Sequence, residues 1–224
     1  MSPHLPLLVW LSPSFPVGAF AYSHGLEWAH EAGDVSDAAS LLSWLADLLE
    51  HGAARNDAIL FAEAYRAASP MDGARLAEIR ELALALATSS ERRLETSTQG
   101  DAFVTAIAKS WPCEATAVLR QVAGGPVAYP VAVGVACAGH GLPLGPSSQA
   151  FLLGFAANLI SAAVRLGVVG QTDGQRVTAA LIPSVERLAA SIQDATLDDL
   201  GGAAFRSDLA ALRHETQYTR LFRS

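Results

Sequence analysis

An all-α fold follows from three features of this 224-residue chain. Alanine occurs 43 times and leucine 30 times, so two strong helix formers supply about a third of the sequence. Aromatic residues are only 7% and β-branched residues are sparse, which argues against a sandwich or barrel. Apolar residues recur at three- and four-residue spacing in one segment after another. A mass of 23.4 kDa suits one domain, or at most two small ones. No internal repeat and no low-complexity linker divides the chain. The expectation is a single compact all-α domain over 1–224, with roughly nine to ten helices, a Pro-rich segment at 1–21 and a tail at 215–224.

The elements can be justified in order. Residues 22–32 read as a short helix stopped by Gly33 at the C′ position. Asp34 or Ser36 is the candidate cap of the next, whose apolar stripe is Leu41, Leu42, Trp44, Leu45, Leu48 and Leu49, ending at Gly52. Asn56 or Asp57 opens a third, ended before Pro70, and 74–87 forms a fourth. Thr88-Ser89-Ser90-Glu91 fits a capping box with Thr88 as the cap; alternatively 74–110 is one long helix with a polar middle. Residues 114–122 form a short helix before Gly124-Gly125. Two uncharged helices follow, the second capped by Ser147 or Ser148. Residues 175–192 form a helix with a kink expected at Pro183, and 206–214 a last one.

Charge and composition exclude several functions. Lys+Arg is 15 against Asp+Glu 22, a net charge of −7, whereas nucleic-acid or anionic-membrane binders carry a basic surplus. Lys109 is the single lysine, and no G-x-x-x-x-G-K-[ST] loop exists, so the chain is not a P-loop nucleotidase. Cys113 and Cys137 make no disulfide framework, and no basic residue precedes an apolar run at the start; the reading is a soluble cytosolic protein with reduced thiols. The mean hydropathy of +0.28 is concentrated between Gln121 and Val164, which holds no Asp, Glu, Lys or Arg. Its apolar halves, 127–138 and 150–164, fall short of the ~20 residues that cross a bilayer. The stretch is therefore core, or core plus a two-fold subunit interface, with Ala132, Gly134, Ala136, Ala156 and Ala157 permitting close helix approach.

No constellation reads as a catalytic centre. His24, Glu27 and Glu31 share a face of the first helix, and Glu27-x-x-His30 has the spacing of one arm of a di-iron site, but no second E-x-x-H occurs. A solvated acidic face is the simpler account, and an uncharacterised enzyme or metal-binding protein using His24/Glu27 is the alternative. Cys137 and His140, three apart, could make a thiolate–imidazole pair or weak metal ligands, but an inert buried thiol fits the apolar run better. The glycines 139, 141 and 145 do not match a dinucleotide loop, because Pro143 and Pro146 break the helix start that would hold a pyrophosphate. The chain end, by contrast, sets Tyr218, Leu221 and Phe222 around Arg220 and Arg223, a composition favoured at protein interfaces. Helical patterning stops near His214, so the tail is expected to add little to the core, to be mobile alone and to order on a partner.

Both ends carry a resemblance. The opening, Ser12-Pro13-Ser14-Phe15-Pro16-Val17-Gly18-Ala19-Phe20-Ala21-Tyr22-Ser23-His24-Gly25-Leu26-Glu27, resembles the S-P-x-x-P-V-G-x-[FY]-x-Y-S-x-G-L-E signature of the UreF family of urease accessory proteins. The tail resembles that family's terminal H-E-x-x-Y-x-R-L-F-R-S, and the segments 91–100, 160–166 and 170–175 agree in the same order. Val168-Val169 departs from the proline and apolar residue usual before Gly-Gln, and the scarcity of lysine puts in doubt any partner contact that needs one. The resemblance implies an all-α, non-catalytic adaptor without a cofactor. It would pair as a homodimer, bridge a UreD/UreH-type scaffold and the GTPase UreG, modulate that GTPase and serve nickel insertion into apo-urease. The partner-contact residues it suggests are Tyr22, Ser23, Gly25, Glu27, Tyr218, Arg220, Leu221, Phe222 and Arg223.

Overall fold

A computed structural model describes residues 5–224; the first four residues of the Pro-rich segment lie outside it. Among the described residues there are eleven α-helices and no strand. They are α1 (Leu5–Trp10), α2 (Leu26–Glu31), α3 (Ala38–His51), α4 (Ala53–Ala68), α5 (Gly73–Ala85), α6 (Ser90–Ser110), α7 (Glu114–Ala123), α8 (Tyr129–Gly139), α9 (Leu144–Arg165), α10 (Gln171–Ser191) and α11 (Phe205–His214). Short 3-10 turns stand at Ala19–Ala21 and Leu197–Asp199. The fold class is the one the composition predicts, and the helix count is slightly higher because α1 was not anticipated.

Two helices form the centre. α4 buries every residue from Ala58 to Ala64, and α8 buries every residue from Pro130 to Cys137. They make the most extensive helix pairing in the molecule; α6 and α7 pack on α8, α5 and α3 on α4, and α10 lies across α9 and α3. The pairing depends on Gly134, where an added Cβ would run into the carbonyl of Phe61. That close approach explains why α8 is made of Val, Ala and Gly: larger side chains would push the axes apart. Of the uncharged stretch, Ala132, Gly134 and Ala136 are thus core. α9 is 22 residues long, because it starts at Leu144 rather than near Ser147. Pro146 fits its first turn, where no N–H is needed, and Ser147 and Ser148 are buried inside it rather than capping it. By length and composition α9 could cross a membrane, yet half of it is buried inside the protein.

Other boundaries shift for identifiable reasons. Asp37, not Asp34 or Ser36, caps α3 through a reciprocal box with Ser40. α4 begins at Ala53, directly after the shared Gly52. The long 74–110 alternative fails, since α5 and α6 are separate; Ser89, not Thr88, caps α6 by accepting from the Arg92 N–H. Gly33 does stand at φ +81° after α2. α10 starts at Gln171 and runs through Pro183, whose exposed position leaves the buried face at Val177, Leu181, Val185 and Leu188 intact.

Replacing Gly134 by valine should force α4 and α8 apart and cost roughly 3 kcal/mol, since overpacking displaces backbone here rather than a flexible side chain. Urea unfolding followed by far-UV circular dichroism measures it; a variant as stable as the parent would show that the helices are not in close contact.

Candidate functional site

The opening motif does not form the helix expected at 22–32. Ala19–Ala21 makes a 3-10 turn, the chain passes through His24 at φ +57° and Gly25 at φ +74°, and α2 starts only at Leu26. Gly25 is needed twice over. Its φ is one that side chains avoid, and a Cβ there would lie 2.6 Å from the Ala211 nitrogen of α11. His24 therefore sits ahead of the helix, and it does not share a face with Glu27 and Glu31.

Glu27, buried at the start of α2, is the anchor of the C-terminal segment. Its Oε1 accepts the N–H of Leu221 at 2.6 Å and its Oε2 the N–H of Phe222 at 2.9 Å, with His214 Nε2 3.3 Å away. The other His214 nitrogen, Nδ1, lies 2.6 Å from Glu91 Oε2, and Arg220 donates to Glu91 Oε1 at 2.6 Å. The chain then runs beside the opening motif: Arg223 N–H donates to the Ala21 carbonyl at 2.8 Å and Ser23 N–H to the Ser224 carbonyl at 2.8 Å. Ser23 Oγ donates to the same Ser224 carbonyl. Upstream, Glu215 receives the N–H and the hydroxyl of Ser90, both at 2.7 Å, placing a carboxylate at the positive end of α6.

The first three turns of α6 carry the matching polar stripe. Arg92, Glu95 and Gln99 are all buried. Glu95 accepts from His24 Nε2 at 2.8 Å, from Ser224 Oγ at 2.7 Å, from Gln99 Nε2 at 3.0 Å and from Arg92. Burial by itself would raise the Glu95 pKa, but the Arg92 charge and the His24 and Ser224 bonds override it and hold the carboxyl at about 2. The His24 pKa is lowered as well, which for a base means neutrality: burial, then the Arg92 charge, favour its neutral form over the pull of Glu95. The two shifts agree if Arg92, always charged, is the cation that balances Glu95.

Phe222 is the apolar end of the same arrangement. It is 4% exposed, and the Arg165 guanidinium lies 4.3 Å from its ring centre and 4.3 Å from that of Phe20. Arg165 also donates to the Phe20 carbonyl at 2.7 Å, so one arginine from α9 clamps the opening motif and the chain end together. Beneath residues 11–20 lies a cavity of about 220 Å³ that reaches His24, Asp57, Arg92 and Glu95. Burial pushes the Asp57 carboxyl up to about 6, against an opposing pull from Arg92.

The structure thus brings Tyr22, Ser23, Gly25 and Glu27 together with Arg220, Phe222 and Arg223, but in contacts inside the chain. Tyr22, Ser23, Gly25, Glu27 and Phe222 are buried, while Tyr218 is fully exposed, Leu221 is 62% exposed, and Arg220 and Arg223 are exposed. The expectation of a tail that adds little to the core is corrected: Phe222 belongs to the core, and the backbone of 221–224 is tied down. The capping role expected of Glu91 is corrected too, since its carboxylate goes to His214 and Arg220. Cys137 and His140 do not form a reactive pair. Burial pushes the Cys137 thiol up to about 12. The His140 ring bonds the Trp111 carbonyl at 3.0 Å and packs edge-on against Trp10. Glu27 is taken by the tail and His30 Nδ1 by the Val35 carbonyl, and among the described residues no three metal-binding groups cluster. Sequence reasoning missed Arg92, Glu95, His214 and Arg165. The spacing of Glu91, Glu95 and Gln99 on one face was a usable signal for a buried polar stripe.

Comparison with known proteins points one way. Residues 35–182 match the family model UreF. The urease accessory protein UreF of Xanthobacter autotrophicus is 58% identical over 220 residues, spanning 98% of this chain and 90% of that protein. Those of Methylobacterium radiotolerans and of Rhodopseudomonas palustris strain BisB5 are 56% and 54% identical, spanning 98% and 97% of this chain and 96% and 90% of those proteins. The family model stops short of both the opening motif and the tail, whereas the pairwise matches cover nearly the whole chain.

Two expectations come from this geometry. Phe222→Ala should cost about 2 kcal/mol through lost burial, lowering the Tm by about 4–8 °C, while Tyr218→Ala leaves it unchanged; calorimetry on both variants decides whether the tail is part of the fold. The second concerns pH. The Asp57 pKa is higher folded than unfolded, so folding favours its protonated form, and ionisation withdraws stability, on the order of 3 kcal/mol, as pH rises from about 4 to 6. Asp57→Asn should therefore raise the Tm near neutral pH and leave it unchanged near pH 4.

Proposed function

The chain belongs to the UreF family of urease accessory proteins, and on that premise we propose that it acts in urease maturation as an adaptor without chemistry of its own. It bridges a UreD/UreH-type scaffold and a UreG-type GTPase, modulates that GTPase, and supports nickel insertion into apo-urease. Family members are accessory proteins rather than enzymes, and this chain is one of them.

The observation that carries the reading is the two-sided C-terminal segment. One side, the backbone and Phe222, is fixed by Glu27, Ser23 and Arg165. The other side turns Tyr218 and Leu221 outward beside Arg220 and Arg223. Fully desolvating Leu221 and the Tyr218 ring against a partner would contribute roughly 1.5–3 kcal/mol each; Arg220 is paired with Glu91, and the exposed Arg223 suits two-pronged contact with a carboxylate. The outer side of α11 extends this surface with Phe205, Leu209 and Leu212. For the homodimer, α8 is unavailable, and the exposed side of α9 with Leu153 and Ala157 is what the uncharged stretch leaves for a two-fold contact.

The test is affinity capture of tagged protein from cells carrying a urease operon. The parent should retain a scaffold protein and a P-loop GTPase. The Tyr218→Ala/Leu221→Ala double variant should melt at the parental temperature, lose the scaffold and fail to activate urease. Undiminished scaffold capture by that variant would place the contact elsewhere.

A further inference from the structure

We propose that the cavity between the Pro-rich segment, α6 and α9 is a binding site for a small organic monocation, a primary amine on an apolar stem. The cavity measures about 220 Å³, room for a stem of ring size. Its walls are aromatic, with Phe15, Tyr129, Phe151 and Phe155 among the lining residues. Its polar end holds acceptors without donors. His24 is buried, with 8% of its surface exposed; its Nε2 donates to Glu95, which leaves Nδ1 of the neutral ring as an acceptor, and that atom has no partner. The half-buried Asp57 carboxylate, on α4, also lines the cavity, and no described residue hydrogen-bonds to it.

Charge points the same way. The ionisable groups around this end are Asp57, Glu95, Arg92 and the neutral His24, one cation against two carboxylates. Arg92 is hydrogen-bonded to Glu95, so Asp57 is the group left without an ion-pair partner. A buried acceptor that lacks a donor, His24 Nδ1, carries a standing cost, which an ammonium removes while facing the half-buried carboxylate of Asp57. The aromatic walls add the attraction of π-faces for a cation. A metal ion fits less well. Both Glu95 oxygens are already engaged, by His24 and Gln99 on one side and Arg92 and Ser224 on the other, so only two free ligands remain. Free Nδ1 and Asp57 do not need a transition-metal geometry, but they do need hydrogens.

The proposal is independent of the adaptor reading, and its test involves no partner. Calorimetric titration of the full chain near neutral pH compares benzylamine with benzyl alcohol, which has the same ring and nearly the same size but no charge. Benzylamine should bind saturably, one per chain, and about tenfold or more tighter than the alcohol. Asp57→Asn should abolish that preference. Pro13→Trp, at an exposed position of the cavity lining outside the surfaces assigned to partners, should weaken both ligands about tenfold; it decides the matter if the Asp57 variant does not fold. Equal affinities for the two compounds, no saturable binding, or an unchanged preference in Asp57→Asn would overturn the proposal. So would displacement of benzylamine by micromolar zinc, which would make the cavity a metal site.

Discussion

A carboxylate taken out of water must be met by donors, and in this molecule that requirement decides where the chain ends. Glu27 and Glu95 are buried and Glu91 half-buried, on two short stretches of helix that set three carboxylates close together. Little water reaches them, and Arg92 is the cation that α6 sets on Glu95. The missing donors come from the last residues of the chain: two backbone amides on Glu27, Arg220 on Glu91, a serine hydroxyl on Glu95, and His214 between the first two carboxylates. The opening motif and the tail are therefore not two independent features. Each is the other's hydrogen-bond partner, and α6 is the floor they share.

The close contacts elsewhere serve this meeting point. Gly25 admits α11 against the turn before α2, which brings His214 to Glu27. Gly134 lets α8 sink against α4, so that α6, which packs on α8, comes close enough to present Glu95 toward His24. Arg165 closes the ring from α9, stacked between Phe20 and Phe222.

What the sequence revealed, and what it hid, divides along the range of the interactions. α3, α7 and α11 were legible because their signals are local: apolar spacing in each, and a following glycine, Gly52 or Gly124, after the first two. The core role of α8 was legible from its lack of charge, although an interface remained an equal account until Phe61 was placed beside Gly134. The start of α2 was not legible, since Tyr22, Ser23 and His24 have ordinary helix tolerance and it is the tail and α11 that hold them out of the helix. The tail was misread for the same reason. Its composition does favour an interface, but the interface it makes in the isolated chain is with residues nearly 200 positions earlier. Likewise the polar stripe of α6 resembles a solvated face until its partners are known, and one residue decided its cap because Ser89, not Thr88, has the extended backbone a cap requires.

That the tail is already ordered changes the energetics of any docking through it. A disordered segment loses conformational entropy when it binds, at a cost of a few kcal/mol from the gross contact energy. Here the backbone of 221–224 and the Phe222 ring have met that cost during folding, against the chain's own carboxylates. Tyr218 and Leu221 are then presented from a fixed frame, and a partner has only their side chains to immobilise. The same frame makes the surface sensitive to its interior. A substitution at the buried Glu27 or Glu95 changes no exposed side chain, yet it releases the backbone that aims Leu221 and Tyr218, so buried changes and surface changes converge on one loss of contact. They differ in where the loss is felt: the buried ones also lower the stability of the isolated chain, and the exposed ones do not.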